Sequence, residues 1–149
     1  MSNIHASCVA IGKRGILIRG PSGSGKSTLA LQLIDSEGHG LGNKPLRGHL
    51  VSDDQTILEN SNGRLLAKPP IAIAGLIEIR GLGIQQVKFT KSAQVKLLVD
   101  LRPATEIERL PSQSDKYVEL EGIKIPHIAI AIGNPAAAAI VRSALYSIA

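Results

Sequence analysis

Residues 20–27 read Gly20-Pro21-Ser22-Gly23-Ser24-Gly25-Lys26-Ser27. The octet satisfies G-x-x-x-x-G-K-[ST], the loop whose backbone N–H groups cradle phosphates. Its flanks agree. Gly15-Ile16-Leu17-Ile18-Arg19 is a short aliphatic run that reads as a buried strand. Ser27–Asp35 carries helical spacing, with Leu29 and Leu33 on one face and Ala30 and Ile34 beside them. Strand, glycine-rich turn and helix, in that order, aim the positive end of the helix at a bound anion. Lys26 is expected to reach the β- and γ-phosphates, and the Ser27 hydroxyl to ligate Mg²⁺. The octet predicts nucleotide binding and leaves the phosphate acceptor open.

Beyond the helix, Gly38 is expected at its C′ position, followed by a Gly/Pro loop over residues 36–48. Leu50-Val51 start the next strand, and further strands are expected at Thr56–Glu59, Ile71–Ala74, Ile77–Arg80, Gln86–Phe89, Val95–Leu101, Tyr117–Leu120 and His127–Ala131. Asn134-Pro135 forms an N-cap and N1 pair that opens a last helix through Ser147. The middle is strand-rich and lacks a helix between each pair of strands. That predicts an α/β fold with a mixed sheet rather than simple βαβ winding. The length of 149 residues, without repeat or linker, predicts one domain over 1–149.

Composition narrows the partners. Hydrophobic residues at 44% and charged residues at 19% describe a globular chain, and aromatics at 2% force a core of Ile, Leu, Val and Ala. Cys8 is the single cysteine, which excludes an internal disulfide and fits a reducing compartment. The N-terminus lacks a leader pattern, and no apolar run approaches the roughly 20 residues of a membrane span. A cytoplasmic protein without membrane contact is expected. Lys and Arg total 17 against 12 Asp and Glu, a net charge of +5. The cations are scattered and only Phe89, Tyr117 and Tyr146 are aromatic, so no nucleic-acid platform is expected. The charge is assigned to the phosphates of a nucleotide. Asn43-Lys44-Pro45-Leu46 has half of a guanine reader but lacks its Asp, and reads as loop.

Two further motifs carry chemistry. Leu50-Val51-Ser52-Asp53-Asp54 ends a short apolar strand in paired carboxylates. Phosphoryl transfer to a hydroxyl uses both a metal ligand and a positioned base. Alone, the pair also fits a surface turn. Ile77-Glu78-Ile79-Arg80-Gly81-Leu82-Gly83-Ile84 alternates, sending Ile77 and Ile79 to the core and Glu78 and Arg80 to the other face, before a tight glycine turn.

In this order and combination, GPSGSGKS (20–27), VSDD (51–54) and IEIRGLGI (77–84) resemble the bacterial HPr kinase/phosphorylase family, from His5 nearly to the C-terminus. The resemblance implies a P-loop kinase domain with a mixed, strand-rich sheet similar to phosphoenolpyruvate carboxykinase. It implies phosphorylation of a serine on HPr, the phosphocarrier of the sugar phosphotransferase system, or on an HPr-like carrier. ATP or pyrophosphate would be the donor with Mg²⁺, and phosphate would drive the reverse phosphorolysis to pyrophosphate. It also implies a homo-oligomer, a hexamer in the family. Carried over, Asp53 matches the catalytic acid/base, Asp54 its acidic neighbour near the metal, and Glu78 the metal-binding signature glutamate accompanied by Arg80. His5 matches a histidine near the phosphates, and Arg109 of Glu108-Arg109-Leu110 an arginine supporting the transferring phosphate. The family's long N-terminal domain and C-terminal tail have no counterpart, as in the short form of some alphaproteobacteria. The segment before Asp53 is longer than the family norm, and Ala131-Ile132-Gly133-Asn134 replaces the family's Pro-Gly-Arg-Asn. Two other functions fit the P-loop: a small-molecule kinase, and a nucleotide-sensing module without transfer.

Overall fold

The computed structural model describes residues 1–148. The strands are β1 (Ser2–Ile4), β2 (Ala6–Ile11), β3 (Arg14–Arg19), β4 (Gly48–Ser52), β5 (Thr56–Ser61), β6 (Arg64–Lys68), β7 (Leu76–Ile79), β8 (Gly83–Gln86), β9 (Ala93–Arg102), β10 (Tyr117–Leu120) and β11 (Ile123–Ala131). The helices are α1 (Lys26–Asp35) and α2 (Ala137–Ile148).

The sheet is mixed, as the sparse helices predict. Nine strands form it along the path β1-β5-β6-β9-β3-β2-β4, with β11 beside β9 and β10 beside β11. Strand β3, which feeds the phosphate loop, runs parallel to β9 and antiparallel to β2. Strand β9 is long enough to serve two partners on one edge. Its start pairs antiparallel with β6 at Gln94↔Leu66, and its end pairs parallel with β11 at Leu98↔His127. The sheet curls at this branch and encloses a core on each face.

One core joins the sheet to both helices: Ile16, Ile18, Val99 and Ile130 pack against Leu29 and Leu33 of α1 and Val141 and Leu145 of α2. The other lies inside the curl, where Leu17, Leu58, Leu65, Leu98 and Ile125 meet over small Ala6, Cys8 and Ala10. The buried apolar side chains are aliphatic apart from Cys8, and Phe89, Tyr117 and Tyr146 are all exposed. Burial pushes the Cys8 thiol up to about 12, so it is a protonated core side chain.

Several sequence expectations need correction. Residues 71–74 are not a strand: Ile71–Ile73 form a 3-10 turn after Pro69-Pro70, and Ile71 is 97% exposed. Prolines without N–H groups cannot start a ladder there. The expected strand Gln86–Phe89 lies three residues earlier, at Gly83–Gln86, paired with β7 in a separate two-stranded sheet. Gly38 does not close α1. The chain leaves the helix extended at Ser36, and Gly38 is small because the Arg142 guanidinium lies against it. Strand β11 starts at Ile123 rather than His127, with Pro126 where it passes from β10 to β9. The last helix starts at Ala137 rather than Pro135, after a turn in which Asn134 Oδ1 accepts from the Ala136 N–H at 2.8 Å.

Candidate functional site

The phosphate loop follows β3 and opens α1. Gly23 and Gly25 hold φ of 78° and 98°, where a side chain would be strained, and Gly25 is the residue before the first helical turn. Lys26 is only 6% exposed, and its Nζ donates to the carbonyls of Gly20 at 3.0 Å and Pro21 at 3.3 Å. The ammonium is thereby held over the loop. A cleft of about 370 Å³ opens here, bounded by Ser22, Gly23, Lys26, Ser27, Asp53 and Glu78, with Gly25, Thr28, Asp54 and Arg80 completing the wall.

Asp53 ties three chain segments together. Its Oδ1 accepts from the Ser27 hydroxyl at 2.7 Å and from the Ser7 hydroxyl at 2.8 Å. Its Oδ2 accepts from the Glu78 N–H at 3.0 Å. This last bond fastens β7, otherwise outside the main sheet, to the end of β4. Glu78 and Arg80 are exposed and line the cleft, while Ile77 is buried, as strand alternation requires.

The adjacent carboxylate is re-aimed by a turn. Asp54 has a φ of 65°, and the Gln55 N–H donates to the Asp53 carbonyl at 2.7 Å. This is a γ-turn of the positive-φ kind, costing about 1–3 kcal/mol. The Asp54 N–H is held by the Ser7 oxygen at 3.1 Å, and its carboxylate accepts from His5 Nε2 at 2.6 Å. One aspartate therefore points at the loop serine and the next at His5. Ser7 is the functional residue that sequence reasoning missed. Its only local signal is a hydroxyl inside the buried run Ala6–Ile11. Arg109 is not brought to the cleft; it sits exposed on the 107–112 connection.

The donors suit a magnesium ion. Ser27, Asp53, Asp54 and Glu78 offer hard oxygens at one edge of the cleft. Among the described residues no three His, Cys, Asp or Glu converge into a metal cage. Mg²⁺ needs none, because it binds through one or two carboxylates plus substrate phosphates. The charges agree: Asp53, Asp54 and Glu78 would repel a polyphosphate held by Lys26 and Arg80 unless a divalent cation lay between them.

A second polar network braces the loop from behind. Arg19, the residue before Gly20, grips Asp100 of β9 with two bonds of 2.8 and 2.9 Å. Asp100 also accepts from His127 Nε2 at 2.8 Å, and His127 Nδ1 faces the Asp115 carbonyl at 2.6 Å. Both ring nitrogens meet acceptors, so the ring is satisfied only as imidazolium. Burial opposes ionisation of Asp100, but the bonds from His127 and Arg19 outweigh it and hold the carboxyl well below the usual range. The Asp100 bond raises the His127 pKa above 6.5 against desolvation. Arg102 completes the cluster through Asp115 at 3.1 Å.

The sign of the pH effect follows. A group whose folded pKa is raised contributes stability that is full below its unfolded pKa and lost as pH rises through the folded value. The melting temperature is expected to fall on the alkaline side of pH 6.5, by about 2–4 °C per kcal/mol lost, and to fall less in His127→Asn. Calorimetric melts of both proteins between pH 6 and 9 check this; parallel curves would remove His127 as the titrating group. Asp100 acts in the opposite direction, its contribution present at neutral pH and lost on acidification.

The family model for the HPr Serine kinase C-terminal domain matches residues 1–147. Among similar proteins, the HPr kinase/phosphorylase of Caldicellulosiruptor bescii is 36% identical over 140 residues, 86% of this chain and 41% of that protein. That of Streptococcus thermophilus is 34% identical over 142 residues, 88% of this chain and 42% of that protein. The chain thus spans about two-fifths of the length of the curated relatives it matches. Among solved structures, the HPr(Ser) kinase/phosphatase from Coxiella burnetii superposes with a TM-score of 0.78 at 28% identity, over 99% of this chain and 95% of that one. The P-loop kinase fold and its curled mixed sheet are shared.

Proposed function

This chain belongs to the HPr serine kinase C-terminal domain family, and on that premise we propose that it transfers the γ-phosphoryl group of Mg-ATP to a serine hydroxyl of HPr or an HPr-like carrier. The observation that carries the reading is the convergence on Asp53 of the phosphate-loop Ser27, the β2 Ser7 and the backbone of Glu78. It joins a phosphate cradle, a metal-side oxygen cluster and a positioned carboxylate at one point, the parts that phosphoryl transfer to a hydroxyl requires.

Each residue has a defined task. The backbone of residues 22–27 and the Lys26 ammonium bind the phosphates. Magnesium, when bound, neutralises charge on the phosphate oxygens. Ser27, Glu78 and Asp54 would hold it through their oxygens. Asp53 takes the proton of the acceptor serine, whose oxygen forms the new P–O bond as the bond to ADP breaks. The two serines and the Glu78 N–H hold Asp53 in position. Incubation with labelled ATP, Mg²⁺ and the carrier tests the reading. Label on HPr supports it, label on a small molecule supports a metabolite kinase, and binding without transfer supports a sensing module.

The reverse reaction follows from the same groups. With phosphate in place of the ADP β-phosphate, its oxygen bonds to the phosphoserine phosphorus as the serine O–P bond breaks, Asp53 returns its proton to the serine oxygen, and the products are serine and pyrophosphate. The retained His5, Asp53 and Glu78 support this expectation, with His5 Nε2 2.6 Å from the Asp54 carboxylate. Phosphoserine-HPr, Mg²⁺ and phosphate should yield pyrophosphate.

Glu78→Gln is expected to raise the Mg²⁺ concentration needed for half-maximal transfer and to slow transfer at saturation. It keeps the Glu78 N–H bond to Asp53, so the hairpin stays in place. A magnesium titration of the kinase reaction checks it, and an unchanged curve would remove Glu78 from the metal shell.

A further inference from the structure

Ser7 is buried on β2 and belongs to none of the three sequence motifs, yet its one hydroxyl meets both aspartates. It donates to Asp53 Oδ1 at 2.8 Å, and its oxygen accepts from the Asp54 N–H at 3.1 Å. We propose that Ser7 is a positioning residue for phosphoryl transfer, which keeps the two adjacent carboxylates in separate roles and directs the proton of the acceptor serine to Oδ2 of Asp53. This rests on the assignment of Asp53 as the base and goes further, naming the atom that takes the proton and the group that selects it.

The sheet is built to bring Ser7 to this place. Strands β2 and β4 pair through Ile11↔Gly48, Ala10↔His49 and Val9↔Leu50, but the next pair is Cys8↔Ser52. Val51 is the extra residue of a β-bulge, which slips the register by one position. Without the slip, Ser7 would stand opposite Ser52. With it, Ser7 stands opposite Asp53, the first residue past β4. Bulges are a known means of re-aiming a side chain beside a site.

The bonds on Asp53 then select one atom. A carboxylate offers about four acceptor positions, shared equally by its oxygens. Ser7 and Ser27 fill those of Oδ1, and the Glu78 N–H fills one on Oδ2. The open position is on Oδ2. In transfer, the proton of the acceptor serine passes to it. The serine oxygen bonds to the γ-phosphorus, and the bond from that phosphorus to the ADP oxygen breaks.

Ser7 has a single proton to give. The Asp54 N–H, a backbone donor, engages its oxygen, and the proton faces Asp53. The same N–H bond holds Asp54 at a φ of 65°, where its carboxylate meets His5 Nε2 instead of the loop serine. His5 and Ser7, two residues apart in the chain, thus hold the two carboxylates apart.

Ser7→Ala removes the hydroxyl and fits the same space, while Ser7→Thr keeps the hydroxyl on a residue suited to strands. Single-turnover transfer from labelled Mg-ATP to HPr is expected to fall about 10–100-fold in Ser7→Ala, the loss of a hydrogen bond to a charged group. Calorimetric affinity for Mg-ATP and the KM for HPr are expected to stay within about threefold, because the phosphate loop is untouched. Ser7→Thr is expected to transfer within about threefold of wild type. Amide hydrogen exchange gives a readout independent of turnover. The Asp54 N–H is expected to exchange about tenfold faster in Ser7→Ala than in wild type or Ser7→Thr, with the β2 and β3 amides unchanged.

Wild-type turnover in Ser7→Ala overturns the inference, as does equal loss of turnover in both variants. Loss of Mg-ATP affinity in parallel with turnover overturns it too, and so does an Asp54 amide that exchanges alike in all three proteins. A fast Ser7→Ala beside a slow Asp53→Asn overturns the role of Ser7 alone and leaves the base standing. Wild-type turnover in Asp53→Asn, or no transfer by wild type, overturns both.

Discussion

Asp53→Asn is expected to lower phosphoryl transfer by about 10²–10⁴-fold, the range for losing a positioned general base. The amide matches the carboxylate in size but accepts through one atom only. In the native site Oδ1 serves Ser7 and Ser27 while Oδ2 serves the Glu78 N–H. The new NH₂ must face one of these donors. The serines can rotate their hydroxyls away, but the Glu78 N–H cannot. The amide oxygen therefore faces the Glu78 N–H and the NH₂ the serines, so basicity is lost while β7 stays fastened. ATP affinity measured without metal should stay close to wild type, because the phosphate loop is untouched. Single-turnover transfer with labelled ATP checks the rate, and a variant that keeps wild-type turnover would require a different base.

Lys26→Ala is expected to weaken ATP by roughly 10–100-fold, the loss of charge-assisted bonds to phosphate. Transfer should fall further, by about 10²–10³-fold, because the ammonium also faces charge that grows in the transition state. The folded protein should tolerate the change. Lys26 itself lines the cleft, where water can replace its ammonium on the Gly20 and Pro21 carbonyls. Calorimetry of both proteins with Mg-ATP, beside their melting temperatures, separates lost binding from lost folding. Equal affinities would exclude the loop as the phosphate site.

The phosphate loop, α1 and the alternation of β7 were legible because each depends on neighbours within a few residues. Strand β2 was not, since all six of its residues are buried and it shows no alternation. Strand β6 did carry a signal: Asn62-Gly63 before it is a two-residue hairpin turn with φ of 53° and 82°. The run Ile71–Ala74 misled because apolar composition says nothing of exposure, and the prolines before it settle the outcome. In the site, Ser27, Asp53, Glu78 and Arg80 meet as their motifs implied. What spacing could not show were partners distant in sequence, such as Ser7 on Asp53 or His127 on Asp100.

Arg142 of α2 is 4% exposed and donates to the carbonyls of Leu46 at 3.0 Å and Ser36 at 2.8 Å, the second 106 positions earlier. Gly40 approaches the Arg142 backbone so closely that a Cβ there would collide with it. The stretch between α1 and β4 thus has its fastener on α2, 106 positions after Ser36. During translation the phosphate loop and its helix emerge before this fastener, and the Ser36 carbonyl just past α1 lacks its Arg142 donor until that residue leaves the ribosome. Strand β3 likewise waits for β9, its partner at Arg19↔Asp100. The nucleotide site therefore assembles late relative to its own synthesis, and a chain stalled before Arg142 would expose the 36–48 stretch to proteases while already carrying a complete phosphate-loop sequence.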